Sequence, residues 1–364
     1  MAESELTESV MTQEGNLIGQ NEPVLVTGAT GFIGYKVVET LLERGFRRIR
    51  CFARPTSSMS KLEQLIARYG QDAEIDLIQG NLLRREDCLD AVKDIAVIYH
   101  LAAGAGEKSF PDAFMNSVVT TRNLLDAVLQ QGGLRRFVNV SSFTVYTNDR
   151  KPSGALLDES CSVESDPRRI TDPYCYAKVK QDELVMEYGK KHRIPYVIVR
   201  PGSVFGPGKT QITGRVGIDT FGVFLHLGGS NHLPFTYVDN CADAIVLAGL
   251  RQGVDGESFN IVDDDLPTSR EFLNLYKSNV RRFRSFYVPH AVSYLFCLLW
   301  EKYSVWSHGQ LPPVFSLRRW RAEIKPTGYS NAKLKSRLGW APKVPMDEGL
   351  HRFFDGCREM RRDA

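Results

Sequence analysis

Several features of common protein classes are missing from this 364-residue sequence. Its longest apolar run, residues 291–300, is about half as long as a membrane span needs to be. The seven cysteines form no Cys-x-x-Cys pair and sit among apolar neighbours, which predicts reduced, buried thiols in a reducing compartment. The seven histidines show no metal-ligand spacing. We therefore expect no transmembrane helix, no disulfide framework and no bound metal.

An excess of charge of one sign is confined to one region. The formal net charge is +3, but residues 270–364 carry +10 and the rest of the chain carries −7. Two arginine clusters, residues 281–284 and 318–321, supply much of this charge, and each contains one aromatic residue. Nothing else resembles a nucleic-acid module, so no nucleic-acid partner is expected. The clusters are interpreted as binding an anionic substrate group or acidic lipid headgroups, or as solvated surface.

The chain has the composition of a globular protein, with 43% hydrophobic and 24% charged residues. From residue 23 onward, short β-branched runs alternate with amphipathic stretches of helical length, which is typical of a parallel sheet covered on both faces. Strands are predicted at residues 24–27, 49–53, 75–79, 97–102, 137–141 and 196–200, and helices near residues 32–44, 61–69, 86–93, 111–131 and 174–191.

Domain boundaries follow from changes in this rhythm. We predict an α/β fold with a doubly wound parallel sheet at residues 23–200 and a smaller C-terminal substrate-binding lobe at residues 201–350, with elements exchanged between them. Residues 1–22 contain five glutamates and no lysine or arginine, so they are predicted to be a disordered acidic tail and not a secretory signal. Residues 351–364 are predicted to be a C-terminal tail.

Glycines recur every three residues where the first predicted strand meets the first helix. The segment reads Thr27-Gly28-Ala29-Thr30-Gly31-Phe32-Ile33-Gly34. Glycine allows a tight turn and a close backbone approach, and free N–H groups at a helix N-terminus attract a pyrophosphate. The context of a strand before and a helix after favours a dinucleotide site over a simple turn.

The end of the second strand bears on the choice of dinucleotide. A carboxylate at this position would bind the ribose of NAD, but residues 51–56 contain no acid. Arg54 stands there instead and can pair with a 2′-phosphate, which favours NADP over NAD. The alternative is that Arg54 is a solvated surface residue.

A tyrosine and a lysine share one helical face at the start of the helix near residues 174–191. Tyr174 and Lys178 are four residues apart, so the ammonium is expected to lie under the phenol and to lower the pKa of the phenol from about 10. Ser141 and Ser142 end the strand before, where a hydroxyl can bond the same substrate oxygen. These residues together predict a proton donor and acceptor.

Six landmarks follow one another along the chain. They are Thr27 to Gly34, His100-Leu101-Ala102-Ala103, Val140 to Tyr146, Tyr174 to Lys178, Arg200 to Gly208, and Tyr237-Val238-Asp239-Asn240. In this order they resemble the extended short-chain dehydrogenase/reductases, the NAD-dependent epimerase/dehydratase family. The resemblance covers about residues 23–341, nearly the whole chain.

The resemblance implies a Rossmann-type core that binds a nicotinamide cofactor. It implies that Tyr174 exchanges a proton with the substrate oxygen, that Lys178 holds the nicotinamide ribose and that Ser142 polarises the same oxygen. Cofactor contacts are expected from Gly28, Thr30, Gly31, Phe32, Ile33, Gly34, Arg54, Asn81, Leu82, Leu101, Ala102, Ala103, Ser141, Tyr174, Lys178, Pro201 and Val204.

Departures from the family pattern narrow the reaction. Family dehydratases carry an Asp-Glu pair after the active hydroxyl, where this chain has Phe143 and Thr144. Nucleotide-sugar epimerases usually carry an arginine shortly before the Tyr-Val-Asp landmark, where residues 231–236 of this chain contain none. Asn116 falls one place early for the family's relay asparagine. Sugar dehydration and the usual UDP-sugar grip are therefore not expected.

Other segments look most like the 3β-hydroxysteroid dehydrogenase branch. They are residues 238–244, the apolar run 291–300 and residues 328–342. This resemblance implies an NAD(P)-dependent oxidoreductase that interconverts a secondary alcohol and a ketone on a bulky, lipid-like or anionic small molecule. The alternatives are an NAD-dependent nucleotide-sugar C4 epimerase and a non-catalytic cofactor sensor, and the complete set of Ser142, Tyr174 and Lys178 disfavours the sensor.

The remaining expectations concern assembly and location. The resemblance implies a homodimer formed through the helices near residues 111–131 and 174–191. A cytoplasmic location is expected from the reduced cysteines. The apolar run 291–300 is interpreted as a pocket wall, a peripheral contact with a membrane surface, or an ordinary buried helix.

Overall fold

A seven-stranded parallel sheet forms the centre of the protein. The computed structural model describes residues 15–104, 106, 109–147, 151–166, 172–220, 222–307 and 316–362. The strands of the central sheet are β1 (Val24–Thr27), β2 (Arg48–Ala53), β3 (Glu74–Gln79), β4 (Val97–His100), β5 (Arg136–Val140), β7 (Tyr196–Pro201) and β12 (Ser258–Ile261). Every neighbouring pair in this sheet is parallel.

The strand order creates a crevice at one edge of the sheet. The order is β12-β7-β5-β4-β1-β2-β3, so the chain runs outward from β1 to β3 and then crosses back to β4 on the other side. Connections that leave a parallel sheet in opposite directions open a crevice at the carboxyl ends of the strands between them. The predicted Rossmann-type α/β fold is confirmed, and the six predicted strands are present within two residues of their predicted bounds.

Helices cover both faces of the sheet because its central strands are apolar on both sides. The helices are α1 (Phe32–Glu43), α2 (Ser60–Tyr69), α3 (Arg85–Val92), α4 (Phe110–Phe114), α5 (Thr120–Gln131), α6 (Pro173–His192) and α7 (Val238–Leu250). One core lies among α1, α2, α7 and the sheet, and a second lies among α3, α5, α6 and the sheet. A π-helical turn, Met115–Val119, joins α4 to α5.

Smaller elements form a lobe over the carboxyl edge of the sheet. Its strands are β6 (Leu156–Leu157), β8 (Ser203–Phe205), β9 (Gly217–Thr220), β10 (Val223–His226), β11 (Phe235–Tyr237), β13 (Ser285–Tyr287) and β14 (Gly328–Tyr329). Its helices are α8 (Ser269–Asn279), α9 (His290–Trp306), α10 (Leu317–Glu323), α11 (Ala332–Leu338) and α12 (Met346–Arg362). Residues 201–350 also supply β12 and α7 to the central layer.

Both predicted tails need correction where the structure describes them. Residues 1–14 lie outside the described residues, but Ile18 is buried and Leu17 N–H donates to Leu250 O at the end of α7. At the other terminus, residues 351–362 belong to α12, and Phe353 and Phe354 are buried. The apolar side chains of this segment recur at helical spacing and pack against the lobe. This pattern was not recognised in the sequence because many charged residues lie between them.

A buried arginine joins the sheet to the end of α7. The Arg136 side chain is fully buried, and its guanidinium donates to the carbonyls of Ala248, Gly249 and Arg251 and to Asp255 Oδ1, the last at 2.8 Å. Carbonyls at a helix C-terminus have no partner within the helix. Arg136 therefore caps α7 from the sheet.

Replacing this side chain by an apolar one of similar size is expected to destabilise the fold. Arg136→Met should lower the free energy of unfolding by about 3 kcal/mol because several buried carbonyls lose their donor. Urea denaturation measures the change, and Arg135→Met, at an exposed neighbouring position, is the matched control. Equal stability of the two variants would show that the cap contributes nothing.

Candidate active site

The fold brings the predicted cofactor residues to one edge of the sheet. The Gly28 turn follows β1, Arg54 follows β2, Asn81 and Leu82 follow β3, residues 101–103 follow β4, Ser141 and Ser142 follow β5, and Pro201 ends β7. Carboxyl ends of parallel strands meet at a single edge. Residues far apart in sequence therefore line the same crevice.

The glycine turn is built for close backbone approach. Gly28 has φ +70°, and a Cβ there would lie 3.0 Å from Ala102 N. A Cβ at Gly34 would lie 2.1 Å from Gly28 O, so α1 can pack against the turn only because this residue has no side chain. No described side chain caps the first turn of α1, which leaves its N–H groups facing the crevice.

The predicted cofactor residues in the loops after β2 and β3 differ in their exposure. Arg54 is exposed at the end of β2. Asn81 is also exposed, and its N–H donates to Asp87 Oδ2 at 2.7 Å. The Leu82 side chain is buried in the core beneath the loop, so only the backbone of Leu82 can face a ligand.

The two serines after β5 have different environments. The Ser141 hydroxyl donates to Asp182 Oδ2 at 2.9 Å and is buried below the crevice. Ser142 lines the cavity above, where its Oγ accepts from Thr144 N–H at 3.3 Å. Ser142 is therefore the hydroxyl that a substrate can reach, whereas Ser141 is engaged in the protein interior.

Tyr174 and Lys178 lie on the same face of α6, as their spacing predicts. The Lys178 Nζ is 5.9 Å from the centre of the Tyr174 ring. Lys178 is only 2% exposed, and its Nζ donates to Val140 O at 2.6 Å and to Gln181 Oε1 at 2.9 Å. Burial lowers the pKa of Lys178 to about 8.

The expected lowering of the phenol pKa is not found. Burial raises the pKa of Tyr174 to about 12, and hydrogen bonding to the Ser142 side chain opposes this rise only in part. The ammonium donates to Val140 O and Gln181 Oε1, and its nitrogen lies over the ring at 5.9 Å from the ring centre. Desolvation therefore outweighs the attraction of the neighbouring cation.

A cavity of about 590 Å³ lies beside the two hydroxyls. Its polar wall includes Ser142, Tyr174, Asp172, Arg215, Arg318 and Arg319. Arg318 is paired with Glu164 at 3.4 Å, and Arg319 is paired with Glu323 at 3.2 Å. Arg215 donates to two neutral acceptors, Ala322 O and Tyr329 Oη, so its positive charge is not offset by a carboxylate among the described residues.

A second cavity of about 480 Å³ adjoins the first and is almost wholly apolar. The two cavities share Gly214, Arg319 and Glu323. The apolar wall comes from β10 and α9 and includes Leu225, Leu227, Val292, Phe296 and Trp300. An amphipathic molecule can thus place a polar end near Tyr174 and an apolar end against α9.

Sequence reasoning found some of these residues and missed others. Residues 318–321 are expected to bind an anionic substrate group or acidic lipid headgroups, or to be solvated surface, and Arg318 and Arg319 line the cavity. Arg281, Arg282 and Arg284 are exposed and line neither cavity. Arg215 was missed because a lone arginine in a glycine-rich segment carries no pattern.

Two further observations concern metals and membranes. Among the described residues, no three His, Cys, Asp or Glu side chains cluster in a way that could hold a metal ion. Within the same residues, no helix combines the length and the apolar composition that crossing a bilayer requires.

The sheet order, the glycine turn and the Tyr174–Lys178 pair define an enzyme of the extended short-chain dehydrogenase/reductase type. Residues 24–262 match the model of the NAD dependent epimerase/dehydratase family. The chain therefore belongs to this family, whose members include NAD-dependent dehydrogenases, epimerases and decarboxylases.

Curated relatives have different substrates in their names. The chain is 32% identical over 191 residues to cinnamoyl-CoA reductase 1 of Oryza sativa subsp. japonica, an alignment that covers 52% of this chain and 55% of the rice protein. It is 23% identical to the sterol-4-alpha-carboxylate 3-dehydrogenase, decarboxylating, of Mus musculus, over 96% of this chain and 94% of the mouse protein.

Solved structures show the same architecture. UDP-glucuronic acid 4-epimerase from Bacillus cereus, in complex with NAD, aligns with a TM-score of 0.69 and 23% sequence identity. The alignment covers 93% of this chain and 99% of the epimerase. A likeness at this level of identity concerns the fold and leaves the substrate open.

Proposed function

We propose that this protein is an NAD(P)-dependent oxidoreductase that interconverts a secondary alcohol and a ketone on a bulky, amphipathic substrate with an anionic group. The observation that carries the proposal is the position of Tyr174 and Ser142 at the wall of a cavity, with the Lys178 ammonium beneath the phenol. The reacting oxygen would lie between the two hydroxyls.

The residues at the sheet edge fit a nicotinamide dinucleotide. The Gly28 turn would bring backbone N–H groups of α1 to the pyrophosphate, because α1 packs closely against the turn where Gly34 has no side chain. Residues 101–103, Pro201 and Val204 would line the remainder of the cofactor cleft. When bound, the cofactor supplies hydride transfer at its nicotinamide ring.

The side chains of this chain would handle the proton. With a pKa of about 12, the Tyr174 phenol is protonated at neutral pH and is ready to donate to a ketone oxygen. Ser142 would orient that oxygen by a hydrogen bond. The Lys178 charge would stabilise the phenolate that remains after the transfer.

The two adjoining cavities support the proposed substrate class. Arg215 supplies a positive charge near Tyr174, and the wall formed by Val292, Phe296 and Trp300 suits an apolar body. The names of two relatives refer to sterol carboxylates, which combine these two features.

The nucleotide-sugar C4 epimerase remains the second candidate because the fold aligns with such an enzyme. An epimerase retains and recycles its NAD, whereas a dehydrogenase releases reduced or oxidised cofactor with each product. A screen of sterols, β-hydroxy acids and sugar nucleotides for a change in nicotinamide absorbance separates the two. A product formed from a sugar nucleotide with no net absorbance change would reject the dehydrogenase.

We further propose a homodimer and a cytoplasmic location. Exposed apolar side chains lie on the helices implied in dimer formation, namely Phe110, Met115, Leu129 and Met186. All seven cysteines are free and buried, which is consistent with a reducing compartment. Light scattering distinguishes the dimer from a monomer.

A peripheral contact with an anionic bilayer is also proposed, through one face of α9. Residues 292, 295, 299, 303 and 306 are spaced three or four apart and form one apolar stripe. Leu295 and Leu299 are 53% and 58% exposed, while the buried side of α9 carries the small residues Ser293, Cys297 and Ser304. The exposed arginines of residues 281–284 precede this helix and complement acidic headgroups.

The phenol is tested by removing its hydroxyl. Tyr174→Phe is expected to abolish turnover and to leave dinucleotide affinity nearly unchanged, because only the proton donor is lost. Steady-state kinetics and cofactor titration measure the two quantities. Tyr176→Phe, on the same helix, is the matched control, and wild-type turnover in Tyr174→Phe would remove the catalytic assignment.

Arg54 is tested by removing its charge. Arg54→Gln should weaken NADP binding about tenfold and leave NAD binding unchanged, because only NADP carries the 2′-phosphate. Fluorescence titration with both cofactors makes the comparison. An equal effect on both cofactors, or on neither, would contradict the preference for NADP.

The apolar stripe is tested on vesicles. A double variant, Leu295→Ser with Leu299→Ser, should lose about tenfold or more of its binding to vesicles that contain phosphatidylglycerol, because it lacks two exposed apolar side chains that would enter the bilayer. Co-sedimentation is the measurement, and Leu275→Ser, at another exposed leucine, is the control. If the wild-type protein does not bind the vesicles, the bilayer is rejected as the partner. The same holds if the double variant is monomeric where the wild type is a dimer.

A further inference from the structure

A chain of buried hydrogen bonds runs below Lys178 and away from the cavity. Lys178 Nζ donates to Gln181 Oε1 at 2.9 Å, and Gln181 Nε2 donates to Thr121 Oγ1 at 2.8 Å. Thr121 Oγ1 is 2.9 Å from His100 Nε2. Gln181, Thr121 and His100 are each fully buried, so water cannot replace these partners.

One placement of the protons satisfies every bond in this chain. When the Thr121 hydroxyl donates to Ser117 O at 2.6 Å, His100 donates from Nε2 to Thr121. His100 Nδ1 then accepts from the Thr27 hydroxyl at 2.8 Å. Burial, together with the Lys178 charge, lowers the pKa of His100 to about 3, which is consistent with this neutral tautomer.

The amide of Gln181 is held in one orientation by this arrangement. An ammonium can only donate, so Oε1 must face Lys178, and Nε2 must then face an acceptor. Thr121 is available as that acceptor because its own proton is committed to Ser117. His100 in turn fixes Thr121 from β4, the strand next to β1.

The fixed orientation of Gln181 determines how the Lys178 ammonium is held. Two of its three N–H groups donate to Val140 O and Gln181 Oε1. The third has no partner among the described residues. The Gln181 contact thus fixes the position of the charge and directs the remaining N–H group.

We propose that Gln181, oriented by Thr121 and His100, is a positioning residue that holds the Lys178 ammonium in its charged form under Tyr174. The inference rests on the proposed function in that Lys178 acts in the reaction. In this role, Gln181 and Thr121 act through Lys178 and do not themselves contact substrate or cofactor.

The other charged groups around Lys178 make no direct hydrogen bond to its ammonium among the described residues. Asp182, on the same helix, raises the pKa of Lys178, but its carboxylate is also bound by Arg200 of β7, Ser141 and Asn139. His100 of β4 is neutral. Tyr174 presents its ring to the ammonium, not its oxygen. The direct polar contacts of the ammonium are Val140 O and Gln181 Oε1, of which only the second is a side chain.

The test measures the titration of Lys178 directly. In full-length protein with carbon-13 lysine, the Lys178 Cε resonance is assigned through Lys178→Arg and followed against pH. Gln181→Leu removes an acceptor from a buried ammonium, so the titration midpoint should fall by about one pH unit. Gln181→Glu places a carboxylate there, so the midpoint should rise. A purely structural glutamine would not give shifts of opposite sign.

The controls separate this inference from the proposed function. Glu183→Gln, at a neighbouring partly exposed position of α6, should leave the midpoint unchanged. Thr121→Val should shift it in the same direction as Gln181→Leu, which provides a second variant if the first does not fold. An unchanged midpoint in the Gln181 and Thr121 variants would overturn the inference. Turnover that survives Lys178→Met, which removes the charge, would instead reject the catalytic role of Lys178.

Discussion

A buried ammonium with few partners is the constraint around which the site is arranged. Taking a charged lysine out of water is costly unless hydrogen bonds replace the lost hydration. Lys178 has a strand carbonyl and the Gln181 amide, while the neighbouring Asp182 is bound by Arg200, Ser141 and Asn139. The two consecutive serines therefore have different roles: Ser141 binds the buried Asp182, and Ser142 faces the cavity.

The same edge of the sheet has two chemically different neighbours. On one side, the glycine turn after β1 offers backbone N–H groups to a dinucleotide, because Gly28 and Gly34 let the turn pack closely against the loop after β4 and against α1. On the other side, the smaller lobe places a cavity with three arginines next to an apolar cavity beside α9. Tyr174 lies at the wall of the cavity that holds the arginines, on the side of the lobe that faces the sheet edge.

Prediction from sequence succeeded where local pattern and tertiary structure agree. Short runs rich in β-branched residues predicted the six strands β1 to β5 and β7 to within two residues of their bounds. The strand β12 was not predicted, because its four residues, Ser258–Ile261, lie in a region with no regular pattern in the sequence. They form a strand by pairing with β7. The expected effect of Lys178 on the phenol was wrong because helical spacing places two side chains on one face without saying which atoms they bond.

The amino-acid order alone was enough for the class of fold and for the catalytic candidates Ser142, Tyr174 and Lys178, since glycine spacing, strand periodicity and helical periodicity are local properties. Only the tertiary structure decided which groups are buried and what they contact. Burial raises the pKa of Tyr174. Folding also brings Ser141 to Asp182, and it connects Lys178 through Gln181 and Thr121 to His100. These contacts link residues from different strands and helices. Their energies depend on the loss of water, which arises only when the layers of the protein pack together.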